Sequence, residues 1–382
     1  MPKNSFIYAL ATLSGTIIGV GLFSLPYITA KVGFWVMLFY FIALGSVAIV
    51  TALMYGEVTM RTEGLHRLPG YAGKYLGPNA KKLTFFTNII GFYGALLAYL
   101  VVGGQFLTDL FVPAMLQNSY WLYGFTLIFF LAGTLLILFD IKGIAQTELI
   151  GLILFFIILI VIFAKGFGSI KISNLSNFDP QHLFLPYGAI LFSICGMALI
   201  PEVKEILRYN QKLLKKVIPL AILIPIITYL FFIILVCGIT GSATSEKALD
   251  GLTGILGGKL IIFALIFGIL TTFTSYIAMG LTLKKVFWYD FKISKHTAWF
   301  LSCFVPLVLF FLGINNFIDI ISFTGGIMLA VDSVLVILIY LKAKKTGDKK
   351  PAYHLHIPEF ISYSIIFLFI IGAIYEIYYF VK

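Results

Sequence analysis

Charge is what this 382-residue chain has least of. Only 11% of its residues are Asp, Glu, Lys or Arg, while 60% are hydrophobic. A water-soluble domain carries about a quarter charged residues, so the shortage excludes one and points to a chain that spans a membrane. Acids are scarcer still, with 16 Asp and Glu against 27 Lys and Arg and a formal net charge of +11. Such an excess could mark a nucleic-acid binder, but the basic residues sit in short clusters between apolar runs. That is the pattern of cytoplasmic loops, so the expected surroundings are a lipid bilayer and not nucleic acid.

Cysteine is nearly absent. Cys195, Cys237 and Cys303 lie far apart in apolar runs. An odd, scattered set gives no disulfide framework and reads as buried small hydrophobes. The five histidines, His66, His182, His296, His354 and His356, fall in or beside loops. His354 and His356 are close but lack further ligands at metal-site spacing. Nothing gathers acids, histidines and a nucleophile at one depth, so an enzyme is not expected. No run has a continuous polar face, as a channel would need.

What is abundant is apolar length. About 20 residues span a bilayer, and eleven runs qualify: roughly 5–30, 34–59, 83–111, 121–139, 147–164, 183–207, 213–240, 259–283, 297–313, 316–341 and 357–381. Met1 to Ser5 is too short for the charged region of a signal peptide, so run one is read as a retained span. Loop 60–82 carries Arg61, Arg67, Lys74, Lys81 and Lys82. Clusters also follow runs six, eight and ten, whereas 112–120 and 313–316 have no Lys or Arg. The alternation predicts a cytoplasmic N-terminus and an outside C-terminus.

Two runs are interrupted. Gly15-Thr16-Ile17-Ile18-Gly19-Val20-Gly21 leads to Pro26 in run one, and Phe192-Ser193-Ile194-Cys195-Gly196 leads to Pro201 in run six. In both, proline follows a glycine by five positions. Glycine frees the backbone and proline removes a donor. Non-helical backbone at membrane depth belongs where it lines a cavity or is buried in protein. Paired interruptions are the sequence mark of a transporter's binding site; close helix packing is the plainer reading of such glycines. Runs one and six each open a set of five. Five is odd, so the second set is inverted, giving repeats at about 5–164 and 183–341 and an extra helix at about 357–381. The expected fold is an all-α membrane protein in one domain, residues 1–382, with about eleven transmembrane helices.

The first break with Tyr27, Tyr55-Gly56-Glu57, the Leu68-Pro69-Gly70-Tyr71 loop, Gly94 to Gly104 in run three and Ile200-Pro201-Glu202-Val203 in run six resemble the amino acid/auxin permease and aromatic amino acid permease families. These belong to the amino acid–polyamine–organocation superfamily, with the leucine-transporter fold. The resemblance implies an amino acid transporter working by alternating access, with runs one, two, six and seven rocking against three, four, eight and nine. It places the substrate carboxylate at the N–H groups of Val20 and Gly21. The ammonium falls near the carbonyls around Ile17, Phe192 and Ser193, and Ile18, Gly19, Cys195 and Gly196 complete the break-lined site. Tyr99, midway along run three, is a candidate contact to the substrate. In sodium-coupled branches, hydroxyls on run eight and carbonyls of the first break hold an ion. The matching positions are Thr271, Thr274 and Ser275 with Gly15 and Ile18, although such hydroxyls also bond to their own preceding turn. No cofactor is expected beyond such a sodium ion.

Intramembrane acids are costly and functional by default. Asp332 is the deepest, a proton relay or one half of a gate. Glu57 and Glu202, with Arg61, Lys204 and Arg208 nearby, read as gate or interfacial pairs. Asp319 also lies within a run, and Asp140 and Glu148 lie near run ends. No acid or base is expected beside the breaks, which disfavours charged substrates, and Ile18, Val20, Phe192 and Met197 lean toward apolar ones. The reading is ion-coupled symport of an amino acid, by protons or sodium. An exchanger or a sensor of the same fold is the alternative.

Overall fold

The computed structural model describes residues 5–139, 144–246, 248, 249, 252 and 257–381. Asp140 and the side chain of Glu148 lie outside what is described. Among the described residues all regular structure is helical. Run one folds as α1 (Ser5–Ile17) and α2 (Gly21–Val32), bent by 49° at the break. Gly33, at φ +97°, turns the chain in one residue into α3 (Phe34–Arg61). A Cβ there would lie 1.9 Å from the Asn177 carbonyl, so only glycine fits. A short α4 (Leu68–Leu76) precedes α5 (Pro78–Phe111), α6 (Ser119–Leu138) and α7 (Ile144–Gly166).

Run six divides into α8 (Pro186–Ile194) and α9 (Ile200–Ile206). Then come α10 (Leu214–Thr240), α11 (Gly258–Lys285), α12 (Lys295–Phe311), α13 (Phe317–Phe323), α14 (Ala330–Thr346) and α15 (Glu359–Val381). Wide turns over Val286–Asp290 and Thr324–Leu329 continue α11 and join α13 to α14. Such π-type turns frequently mark functional positions. Some helix starts are capped by side chains: the Asn118 side chain accepts from the N–H groups of Tyr120 and Trp121, and Asn316 accepts from the Asp319 N–H.

Every expected run is helical, but the count of eleven crossing helices is not reached among the described residues, where eight helices are long and apolar enough to cross a membrane, nine with the bent α1–α2 pair. α12 has 17 residues, and α8 and α9 have 9 and 7. The physical reason is that the break divides run six, and that α12 stops at Phe311 just before Gly313 turns the chain at φ +91°, leaving each below the roughly 20 residues a crossing needs. Pro26 is also not at a break. It lies six residues into α2, whereas Pro201 opens α9. The matching offset is therefore not a matching geometry.

The core is built around α5, which packs against α4, α6, α11 and α12. Outward faces of α6, α7 and α15 expose Ile128, Leu131, Ile157, Ile160, Phe367 and Ile374. Such a surface suits lipid as solvent.

Candidate functional site

At the first break the backbone leaves helical pairing. The Gly19 N–H turns to the Ile17 carbonyl at 2.8 Å and the Leu22 N–H to the Gly19 carbonyl at 3.3 Å. In a continuous helix those donors would serve Gly15 and Ile18, so both carbonyls lose their i+4 partners. α2 begins at Gly21 with no side-chain cap, and the first N–H groups of a helix have no intrahelical partner. At the second break α8 ends in Ile194 with an extended Cys195, and a tight turn at 197–199 leads into α9.

The breaks touch. A Cβ on Gly21 would lie 2.2 Å from Ser193 Oγ, and one on Gly196 would lie 2.7 Å from Ile17. Tyr229 on α10 ties them together. Its hydroxyl reaches the carbonyls of Ile17, at 2.6 Å, and Ser193, at 2.9 Å. Ile17 thus accepts from Gly19 and shares the single Tyr229 hydroxyl proton with Ser193.

A cavity of about 60 Å³ opens from this point. About 10–15 Å³ holds one water, so several would fit. Among the positions read from sequence, Ile17, Gly19, Val20, Gly21, Tyr99, Phe192, Ser193, Cys195 and Asp332 line it. Ile18 and Gly196 are not among its lining residues. Tyr99 crosses the gap from α5, with its ring 3.1 Å from where a Gly19 Cβ would stand.

The expectation of no acid or base near the breaks is overturned, because Asp332 and Arg67 line the same cavity. Asp332 lies in the first turn of α14, just after the π-type turn, and Arg67 immediately precedes α4. Asp332 is 2% exposed. It accepts from Thr87 Oγ1 at 2.5 Å and Asn88 Nδ2 at 2.9 Å, both on α5. Arg67 meets Glu202 at 2.8 Å and Glu205 at 3.3 Å on α9, while Lys285 reaches Glu202 at 3.5 Å. Burial alone would lower the Arg67 pKa, but Glu202 and Glu205 reverse this and hold it above its usual value. Glu57 is engaged elsewhere. It accepts from Arg61 and from the Leu355 N–H, pinning the loop before α15 to the end of α3.

The run-eight hydroxyls divide. Thr271 and Thr274 donate to carbonyls of their own helix. Among the described residues Ser275 Oγ, which is buried, has no hydrogen-bond partner, and it lies 3.3 Å from the Gly19 Cβ position. Sequence reasoning missed Arg67 and Tyr229. Tyr229 had a signal, a polar group deep in an apolar run, and Arg67 had none.

The sequence model of the tryptophan/tyrosine permease family matches residues 2–376. The chain is 23% identical over 372 residues to "Tyrosine-specific transport system 1" of Haemophilus influenzae, covering 91% of this chain and 90% of that protein. It is equally identical over 368 residues to "Glutamine transporter 2" of Aliivibrio fischeri, covering 91% and 92%. Among solved structures, that of MhsT in complex with L-phenylalanine superposes with a TM-score of 0.71 over 99% of this chain and 98% of that one, at 16% identity. The shared fold is the leucine-transporter fold.

Proposed function

Because the chain belongs to the tryptophan/tyrosine permease family, we propose that it moves an amino acid across the cytoplasmic membrane by ion-coupled symport with alternating access. The observation that carries this reading is the meeting of both broken runs and Tyr99 around one cavity. The two curated relatives are named for tyrosine and glutamine transport.

The substrate carboxylate sits at the start of α2, on the N–H groups of Val20 and Gly21. A helix N-terminus carries about half a positive charge and needs no arginine to hold an anion. The ammonium faces the last carbonyls of α8 around Phe192. Ile17 contributes less, because Gly19 and Tyr229 already occupy it. Val20, Phe92, Phe192, Met197 and Leu329 supply apolar walls, which suit an apolar or aromatic side chain, and Tyr99 offers its hydroxyl.

Two coupling routes have physical support. The released carbonyls of Gly15 and Ile18, with Ser275, Thr271 and Thr274, offer only oxygen ligands, as a sodium ion prefers. Asp332 offers a carboxylate within the cavity for a proton. Arg67 with Glu202 closes the cavity toward the face bearing the basic loops, which we take as cytoplasmic together with the N-terminus; the C-terminus is outside. Runs one, two, six and seven rock against three, four, eight and nine, the two sets of five being inverted repeats.

The test is uptake of radiolabelled amino acids into proteoliposomes under a proton gradient, a sodium gradient, or neither. Uptake driven by one gradient supports symport and names the ion. Exchange without gradient-driven uptake identifies an exchanger, and binding without either identifies a sensor. Neither uptake nor binding for any amino acid refutes the substrate class.

A further inference from the structure

Glu376 stands apart from the cavity and from every role given above. It lies in α15, within an otherwise apolar helix, and is 4% exposed. Its side chain fills a crevice that three glycines make possible. A Cβ on Gly326 would lie 2.6 Å from Glu376 Cγ and 3.0 Å from its Oε2, and one on Gly188 would lie 3.0 Å from its Oε1. Gly325 presses on the backbone of α8, since its Cβ would lie 1.9 Å from the Gly188 carbonyl oxygen. The carboxyl group is therefore wedged where α8, the half-helix leading to the second break, rests on the wide turn at 324–329.

The groups facing Glu376 are tyrosines. Tyr187 comes from α8, Tyr40 from α3, and Tyr375 and Tyr379 from its own helix. Asp319 of α13 faces Tyr379. The wide turn at 324–329 contributes no titratable side chain. Among the described residues Glu376 has no ion pair and no hydrogen bond. A buried charge costs heavily unless it is paired. The surroundings therefore accept the neutral form and leave the ionised form with nothing but water to seek.

We propose that Glu376 is a proton-binding site separate from the central cavity, and that loss of its proton unseats α8 from the 324–329 turn. The linkage follows from the wedge. The neutral carboxyl fits between the two backbones, while the ionised one is stabilised by any opening that admits water. Occupancy of this site thus biases the half-helix that carries Phe192 and Ser193. The proposal goes beyond the transport reading and does not depend on which amino acid or ion is carried.

The experiment uses the full-length protein in lipid vesicles across a pH series. Dicyclohexylcarbodiimide, which reacts with protonated carboxyls in apolar surroundings, is the probe, and the modified residue is located by mass spectrometry. Glu376 is expected to be modified in the wild type, with a yield that falls as pH rises. In parallel, hydrogen exchange is followed in peptides covering 186–194 and 324–329, corrected for intrinsic rates. Protection there is expected to fall several-fold with rising pH in the wild type and to stay flat in Glu376→Gln. No modification of Glu376 at any pH, or a pH dependence that persists unchanged in Glu376→Gln, overturns the proposal. The labelling needs no variant, so a misfolded Glu376→Gln would still leave a decisive reading. Both readouts are independent of uptake and survive a failure of the amino acid assignment.

Discussion

The hydroxyl of Tyr229 lies 2.6 Å from the carbonyl oxygen of Ile17. The same hydroxyl is 2.9 Å from the carbonyl of Ser193. It has one proton to give, so it serves one carbonyl at a time and stands between the ends of two broken runs. Tyr229→Phe removes that tie at about 1 kcal/mol, the usual worth of a hydrogen bond. The protein is expected to fold with a slightly lower Tm and to bind its substrate several-fold more weakly. A scintillation binding assay beside a thermal melt checks both.

Gly21→Ala is expected to abolish uptake while leaving protein in the membrane. The new Cβ would stand 2.2 Å from Ser193 Oγ and 3.0 Å from Ser193 Cα. Adding Ser193→Ala removes the closest atom but keeps the residue-193 Cβ, 2.8 Å from the new one, so rescue should be partial. Gly124→Ala, with nothing within 4 Å of its Cβ position, is the control and should transport normally.

Arg67→Gln should unlock the cavity toward the basic loops. Removing one partner of a buried ion pair costs about 3–5 kcal/mol in general, although Lys285 keeps Glu202 partly matched. Cys195 lines the cavity, whereas Cys237 and Cys303 are buried. An impermeant maleimide should therefore label Cys195 faster in Arg67→Gln than in the wild type. Equal rates would mean that Arg67 does not seal the cavity.

Asp332→Asn separates the two coupling routes. Asparagine preserves shape but holds no exchangeable charge. If protons couple through Asp332, gradient-driven uptake falls at least tenfold while exchange of one amino acid for another persists. Should sodium couple through the run-eight hydroxyls, Ser275→Ala gives that pattern instead. Flux assays on the two variants decide between them.

The loop at 347–358 should loosen in acid. The backbone N–H of Glu63 and the ammonium of Lys74 hold the Asp348 carboxyl below its ordinary value. A lowered folded pKa contributes stability above the unfolded value, about 3.9, that is lost as pH falls through the folded one. Proteolysis within 347–358 is expected to rise below about pH 4 in the wild type, and Asp348→Asn should show the same susceptibility at neutral pH.

Much of the fold was readable because lipid imposes length. Runs such as 213–240 and 34–59 return as α10 and α3 within two residues at each end. The breaks were readable because Gly19, Gly21 and Gly196 interrupt apolar stretches. What the chain does not write locally is convergence. Arg67 lies in a loop that reads as plainly basic, and only folding beneath α9 brings it to Glu202. Asp332 is inside a run, yet its approach to the breaks depends on the wide turn at 324–329, which no spacing rule foretells. Pro26 misled for the opposite reason. Its offset from Gly21 copies that of Pro201 from Gly196, but α2 simply tolerates it within the helix.

The last helix is fastened at both ends. Before it, Leu355 and Tyr353 bond to Glu57 and Leu53 of α3. Toward its far end, Gly372 and Glu376 seat against Tyr187 and Gly188 of α8. Its 23 residues make a rod of about 35 Å. A rod pinned to α3 and α8 is a strut. It fixes the span between them, so in the proposed alternating-access cycle the second and sixth runs travel as one body, and shortening the strut is expected to uncouple them without touching the cavity.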